Sequence, residues 1–360
     1  MLIALDAMGG DNAPKEIVLG ADTARRKYNC SIFLTGDQES IQTILKEAGI
    51  SDKIAIYNPD STAELETYKE GGWLIIYHTT QVIDMHEDPL SAVRTKKDSS
   101  MVVATRLVKD GICDAVISAG STGAMATISS VMLRRIKGAS LAIATPIPTP
   151  KGVTLLLDSG AIVDAKPADF VNMAIMGSIY HQLVFHTDKP KIGLLNIGEE
   201  DTKGNKQVLA SYPLLQDCKE INFIGNVEGR DIAHGVSDVV VCDGFVGNVV
   251  LKVAEGLAKV IINLIKEAIT NAGLLTKIGA LLVKPALKVV SQRLDPDEYG
   301  GAPLLGVTKP SIICHGSSSR KSISSAIGTT CEFVENDVLT KIKAALENAN
   351  TAGEDKETKA

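Results

Sequence analysis

What most constrains this chain is a repeated unit: a short, unbroken apolar run that closes on small or acidic residues, with a helical pattern usually following. Residues 2–5 lead into Asp6-Ala7-Met8-Gly9-Gly10-Asp11, and residues 32–34 into Thr35-Gly36-Asp37. Residues 115–117 lead into Ser118-Ala119-Gly120-Ser121-Thr122-Gly123, and 153–157 into Asp158-Ser159-Gly160. Residues 192–195, 239–241 and 312–314 repeat the device, closing on Asn196-Ile197-Gly198-Glu199, Cys242-Asp243-Gly244 and His315-Gly316-Ser317-Ser318. Apolar runs without alternation fit strands buried on both faces. Strands alternating with helices predict an α/β fold: a mostly parallel sheet with helices on both faces. In such sheets ligands bind beyond the carboxyl ends of the strands, where these clusters fall.

Composition narrows the class. The 360 residues are 45% hydrophobic and 22% charged with a net charge of −6, so no global pull toward nucleic acid is expected. The six cysteines, Cys30, Cys113, Cys218, Cys242, Cys314 and Cys331, show no zinc spacing and read as reduced core thiols. The N-terminus lacks a basic region before its apolar run, and no stretch is long enough to span a bilayer, so a cytoplasmic protein is expected.

Two segments break the rhythm. Residues 245–270 read as one long helix, on which Val246, Val250, Val253, Leu257, Val260 and Leu264 form a seam suited to another helix. Both an intrachain core helix and a subunit interface fit it. Residues 274–294 carry Lys277, Lys284, Lys288 and Arg293 among Leu275, Ile278, Leu281, Leu282 and Val283, with no acid. That pattern fits contact with a membrane surface or an acidic partner, or a core helix with a solvated basic face. Residues 1–349 are expected as a single α/β domain carrying those protruding helices, and 350–360 as a flexible tail.

The sequence has no GxxxxGK[ST], no GxGxxG after the first run, no GxSxG and no HExxH. What remains are glycine- and hydroxyl-rich turns. Ser121, Thr122 and Gly123 open a helix and offer amides and hydroxyls to an anion, and Ser317 and Ser318 repeat the design beside Arg320 and Lys321. With Asp6, Gly9 and Gly10 they form the expected phosphate-binding set. Lys166, just before Pro167, is the leading cation, and Asn226, Arg230 and Asn248 lie in comparable positions. His315 is a further candidate for proton or phosphate contact. Arg94, Lys96 and Lys97, and Arg134, Arg135 and Lys137, form two basic clusters able to dock an acidic carrier or simply to face water.

Taken in order, these motifs resemble the PlsX-type phosphate acyltransferases of bacterial phospholipid synthesis. The likeness rests on Asp6 to Asp11, Ala92-Val93-Arg94, Lys96 to Met101, Ser118 to Ala124, Asp164-Ala165-Lys166-Pro167, Asn222 to Glu228, Asp243 to Val249, Tyr299 to Ala302 and His315 to Ser318. Ser121 stands where the family usually has Asn. The resemblance implies a fold like isocitrate and isopropylmalate dehydrogenases, a homodimer, no metal or cofactor, and acyl–acyl carrier protein plus inorganic phosphate as substrates. It implies an acyl phosphate product passed to a membrane glycerol-3-phosphate acyltransferase, and peripheral membrane contact through Lys277, Leu281, Leu282, Lys284 and Lys288. For such a reaction Lys166 and Asn226 are expected to face the developing charge, with His315 a second candidate catalytic residue or a structural histidine. Two other functions share the pattern: a β-decarboxylating NAD(P)-dependent dehydrogenase and a non-catalytic carrier-protein or membrane adaptor.

Overall fold

The computed structural model describes residues 1–59, 64–293 and 299–357. The first half alternates strand and helix, with two helices between β4 and β5: β1 Leu2–Asp6, α1 Lys15–Tyr28, β2 Ser31–Gly36, α2 Gln38–Glu47, β3 Ile54–Ile56, α3 Leu65–Lys69, β4 Leu74–His78, α4 Pro89–Thr95, α5 Ser100–Lys109, β5 Ala115–Ser118 and α6 Thr122–Met132. There follow β6 Ala142–Ile143, β7 Thr145–Thr149, β8 Gly152–Leu157, α7 Pro167–Val184, β9 Lys191–Asn196, α8 Lys206–Asp217, β10 Asn222–Glu228, α9 Gly229–His234 and β11 Val239–Val241. The chain ends with α10 Gly244–Asn271, α11 Leu274–Arg293, β12 Ala302–Leu305, β13 Ser311–Ile313, α12 Arg320–Glu335 and α13 Val338–Glu357.

The strands form two sheets, not one. The first has the order β3-β4-β2-β1-β5-β13-β12-β6, the second β10-β9-β11-β8-β7. Pairing is parallel throughout the centres of both; only β12 and β7 pair antiparallel with their neighbours. Each of the seven apolar runs overlaps one of these strands, and all seven lie in the parallel parts.

Burial on both faces explains why those runs do not alternate in polarity. On β1, Leu2 and Ala4 join the core under α5 and α6, while Ile3 and Leu5 join the core under α1, α2 and α12. On β8, Leu155 and Leu157 face α7 and α13, and Leu156 faces α9 and the start of α10. At roughly 25 cal/mol per Å² of apolar surface removed from water, these sandwiched layers are the main source of stability.

The two long helices depart from this scheme. Val246 and Val250 pack partly against the second sheet, but Val253, Leu257, Val260 and Leu264 are each more than half exposed. The intrachain core reading of the seam therefore fails beyond Val250. Along α11, Leu275, Leu281 and Leu282 are exposed apolar side chains, and Lys277, Lys284 and Lys288 are exposed too. No helix among the described residues is long and apolar enough to cross a membrane. α13 carries helix to Glu357, into the stretch expected as a tail; residues 358–360 lie outside the described residues, as does Leu294 at the end of the basic segment.

Candidate active site

Neighbouring strands β1, β5 and β13 end on the same edge of the first sheet, and their turns interlock. Asp6, 1% exposed, accepts hydrogen bonds from Ser118 Oγ at 2.7 Å and from the Met8 amide at 3.1 Å. Ser118 Oγ in turn accepts from the Gly120 amide at 3.0 Å. The Asp11 amide donates to Gly316 O at 2.7 Å, and Asn12 Nδ2 donates to Ser317 O and Ser318 O at 3.0 and 3.3 Å. Three distant stretches are thus held as one surface. Gly10 shows why glycine is needed: its φ is +102°, and a Cβ there would lie 2.8 Å from Gly316 O.

Desolvation pushes the Asp6 carboxyl above its ordinary pKa, against hydrogen bonds from Ser100, Ser118 and the Met8 and Gly9 amides, which pull it down. Asp6 is therefore buried beneath the site. It shapes the turn, and the expectation that it touches phosphate itself is not met by its burial.

On this surface Thr122 and Gly123 are exposed at the start of α6. Ser121 is not: it is buried as the N-cap of α6 and accepts from the Ala124 amide at 3.4 Å. Serine and asparagine cap helices equally well, so either residue fits this position as a cap. Ser317 is exposed, whereas Ser318 is buried. His315 is half exposed, with Nδ1 2.8 Å from Ser317 Oγ and accepting the Ser317 amide at 3.1 Å.

The second sheet has a rim of its own. Asp158, wholly buried at the end of β8, accepts from the amides of Ile143, Gly160, Ala161 and Ile162 at 2.6–2.9 Å. Burial again pushes its carboxyl up, opposed by those amides. The Ile143 contact ties this turn to the first sheet, since Ile143 belongs to β6. Ser159 Oγ adds to the tie by donating to Ile143 O at 3.2 Å, and lies 2.6 Å from Thr145 Oγ1 of β7 within its own sheet. The start of α10 presses on the same turn so closely that a Cβ on Gly247 would lie 1.9 Å from Asp158 O.

Lys166 ends this loop as the N-cap of α7, with Pro167 in the first turn as the sequence predicts. Its amide donates to Asp169 Oδ2 at 2.6 Å, and its side chain is exposed. Among the described residues, no hydrogen bond or ion pair joins that side chain to the turns of the first sheet. Asn226 lies within β10, not in a loop; it is 9% exposed, with Nδ2 on Glu200 O at 2.8 Å and Oδ1 lacking a hydrogen-bond partner among the described residues. Arg230 pairs with Glu228 at 2.7 Å. Asn248 is exposed on α10, whose cap is Asp243.

Of the basic clusters, Arg94 and Lys97 are exposed beside the α4–α6 contact, where Pro89 Cγ would meet a Cβ on Gly123 at 3.2 Å. Lys96 is committed to Glu87 and to Val82 O. Arg134, Arg135 and Lys137 are exposed just after α6. Sequence reasoning missed Ser118 as a partner of Asp6, and it missed Glu255. Glu255 approaches His315 from α10, at 3.7 Å between Oε2 and Nε2. No local signal marks either residue, because each partner lies 60 or more positions away.

Comparison with known proteins adds an independent finding. The fatty acid synthesis protein family matches residues 1–341. The chain is 48% identical to a phosphate acyltransferase of Pelotomaculum thermopropionicum, over 98% of this chain and 97% of that one. It is 50% identical to a phosphate acyltransferase of Desulfitobacterium hafniense, over 98% and 100%. Its fold is similar to the EutD phosphotransacetylase from Staphylococcus aureus, with a TM-score of 0.59 at 14% identity over 93% and 94% of the two chains. It is similar also to 4-hydroxythreonine-4-phosphate dehydrogenase from Klebsiella pneumoniae, with a TM-score of 0.53 at 12% identity over 93% and 99%.

Proposed function

This chain belongs to the fatty acid synthesis protein family, the PlsX-type phosphate acyltransferases, and on that premise we propose that it converts a fatty acyl–acyl carrier protein and inorganic phosphate to acyl phosphate and free carrier protein. The observation that carries this reading is the interlocked surface of the Asp6, Ser118 and His315 turns. It presents the exposed start of α6 and an exposed serine–histidine pair on one edge.

Phosphate is itself the nucleophile, so the protein has to hold an anion against a thioester carbonyl and stabilise the oxyanion. Amides at the start of α6, Thr122 Oγ1 and Ser317 Oγ bind the phosphate. Buried Ser121 and Ser318 hold the two turns in shape. Lys166 reaches in from the second sheet to the developing negative charge, and Asn226 orders the neighbouring strand end. Positioning and electrostatics supply the acceleration, since a thiol with a pKa near about 8.5 leaves with little acid assistance.

The exposed Arg94, Lys97, Arg134, Arg135 and Lys137 flank the α6 side and dock the acidic carrier. The exposed seam of α10 pairs with a second copy of the chain. Lys277, Leu281, Leu282, Lys284 and Lys288 rest on the cytoplasmic face of an anionic membrane, where a glycerol-3-phosphate acyltransferase accepts the product.

An assay with palmitoyl–carrier protein, with and without phosphate, tests the reaction by trapping acyl phosphate as the hydroxamate. Phosphate-dependent hydroxamate and release of carrier thiol are expected; thiol release indifferent to phosphate rules the reading out. For the membrane contact, Leu281→Glu with Leu282→Glu is expected to abolish cosedimentation with anionic vesicles. Unchanged cosedimentation removes that assignment.

A further inference from the structure

α10 starts at the second rim and extends toward the first, bringing the carboxylate of Glu255 to His315. Glu255 Oε2 lies 3.7 Å from His315 Nε2, an ion-pair separation and too long for a hydrogen bond. Lys252 Nζ, one turn earlier, holds the same oxygen at 2.9 Å and so restrains the carboxylate. On the other side of the ring, Nδ1 accepts the Ser317 amide at 3.1 Å and faces Ser317 Oγ at 2.8 Å.

An amide can only donate, so Nδ1 is the unprotonated nitrogen and Nε2 carries the hydrogen, directed at Glu255. The serine loop cannot easily swing away, because Asn12 Nδ2 holds the carbonyls of Ser317 and Ser318, and the Asp11 amide holds Gly316 O. The order hydroxyl, imidazole, carboxylate is that of a proton relay, in which the carboxylate stabilises the imidazolium formed in passing. Contacts of this type are often long before substrate binds.

We propose that Ser317, His315 and Glu255 form a proton relay for acyl transfer to phosphate, with Glu255 a positioning residue that acts through His315. The inference rests on the reading above. As a phosphate oxygen bonds to the thioester carbon, the proton of hydrogen phosphate passes to Ser317 Oγ and the Ser317 proton passes to Nδ1. When the carbon–sulfur bond breaks, the proton returns through Ser317 to the departing sulfur. Acyl thioester plus hydrogen phosphate dianion thus gives acyl phosphate dianion plus thiol, with charge and hydrogen balanced and no co-reactant.

Two readouts test it on the intact chain. In ¹⁵N-histidine spectra, with the His315 signals identified by their loss in His315→Gln, the wild type shows a pyrrole-type Nε2 and a pyridine-type Nδ1. Glu255→Ala is expected to shift the Nε2 signal and broaden the ring pair. In the hydroxamate assay, Glu255→Ala is expected to lower kcat about tenfold to a hundredfold while KM for phosphate stays within about twofold, and Glu255→Asp to recover part of the loss. A Glu255→Ala protein with wild-type kcat, or with unchanged His315 ring signals, overturns the relay. Those results are distinct from failure of the reaction itself, which appears as absent phosphate-dependent hydroxamate in the wild type.

Discussion

At the end of β1, Asp6 divides its hydrogen bonds between the hydroxyls of Ser100 and Ser118 and the amides of its own turn, and through Ser118 it draws in the turn after β5. At the end of β8, Asp158 takes four amides, three of them from its own turn, and leaves that nest no capacity for another anion. Both carboxylates are buried, and burial raises both. The same device therefore serves two ends. The first rim stays open, with Thr122, His315 and Ser317 exposed around it, while the second is closed by its own side chain and, through Ile143, acts as a brace between the sheets. An amide-lined strand end is an anion site only where the chain has not already filled it.

The largest effect that would sharpen this contrast is on stability. Asp158→Ala strands four amides, that of Ile143 fully buried and the other three partly so, and we expect a loss on the order of 3 kcal/mol in urea denaturation. Asp6→Ala strands two hydroxyls and two turn amides, and because hydroxyls can rotate to other acceptors it is expected to cost less, about 1–3 kcal/mol. If the Asp6 variant proves the less stable, the closed and open rims have been assigned the wrong way round.

Next is whether the closed rim contributes chemistry through Lys166. Lys166→Ala is expected to lower acyl phosphate formation on the order of a hundredfold to a thousandfold, with the urea midpoint unchanged. Activity within a few-fold of wild type confines the site to the first sheet.

A smaller effect is the pH dependence of the first rim. Because the folded state raises the pKa of Asp6, its contribution is fully present below the unfolded value, about 3.9, and is lost as pH rises through the folded value. Asp6→Asn, which cannot ionise, is therefore expected to gain on the wild type in urea midpoint as pH rises from 4 toward neutrality. Glu16 behaves oppositely: hydrogen bonds from Arg320 lower it to about 2, so its contribution is present above its ordinary value and fades as pH falls toward 2. A midpoint difference that ignores pH above 4 removes the claim that Asp6 is strained by burial.

The smallest expected effect is at Ser121. As a helix cap, Ser121→Ala costs about 1 kcal/mol of stability, and Ser121→Asn restores it with little change in KM for phosphate. A large rise in KM with stability intact returns Ser121 to the phosphate.

The sequence by itself determined the alternation of elements and where small-residue turns fall at strand ends. Strands buried on both faces need unbroken apolar runs, and strand ends that meet a ligand or another turn need small residues; both requirements are local, so residues 2–5 or 312–314 announce them. The long apolar seam after Gly244 was equally legible, though not what covers it. Only the tertiary structure decided that the runs divide between two sheets, that β13 returns across the chain to stand beside β5, and that Asn226 sits inside a strand. It alone buried Ser121 and Ser318, committed Lys96 to Glu87, and brought Glu255 to His315. The reason is range: periodicity records which face of an element is apolar, whereas strand order and the pairing of side chains far apart in the chain depend on how whole layers pack.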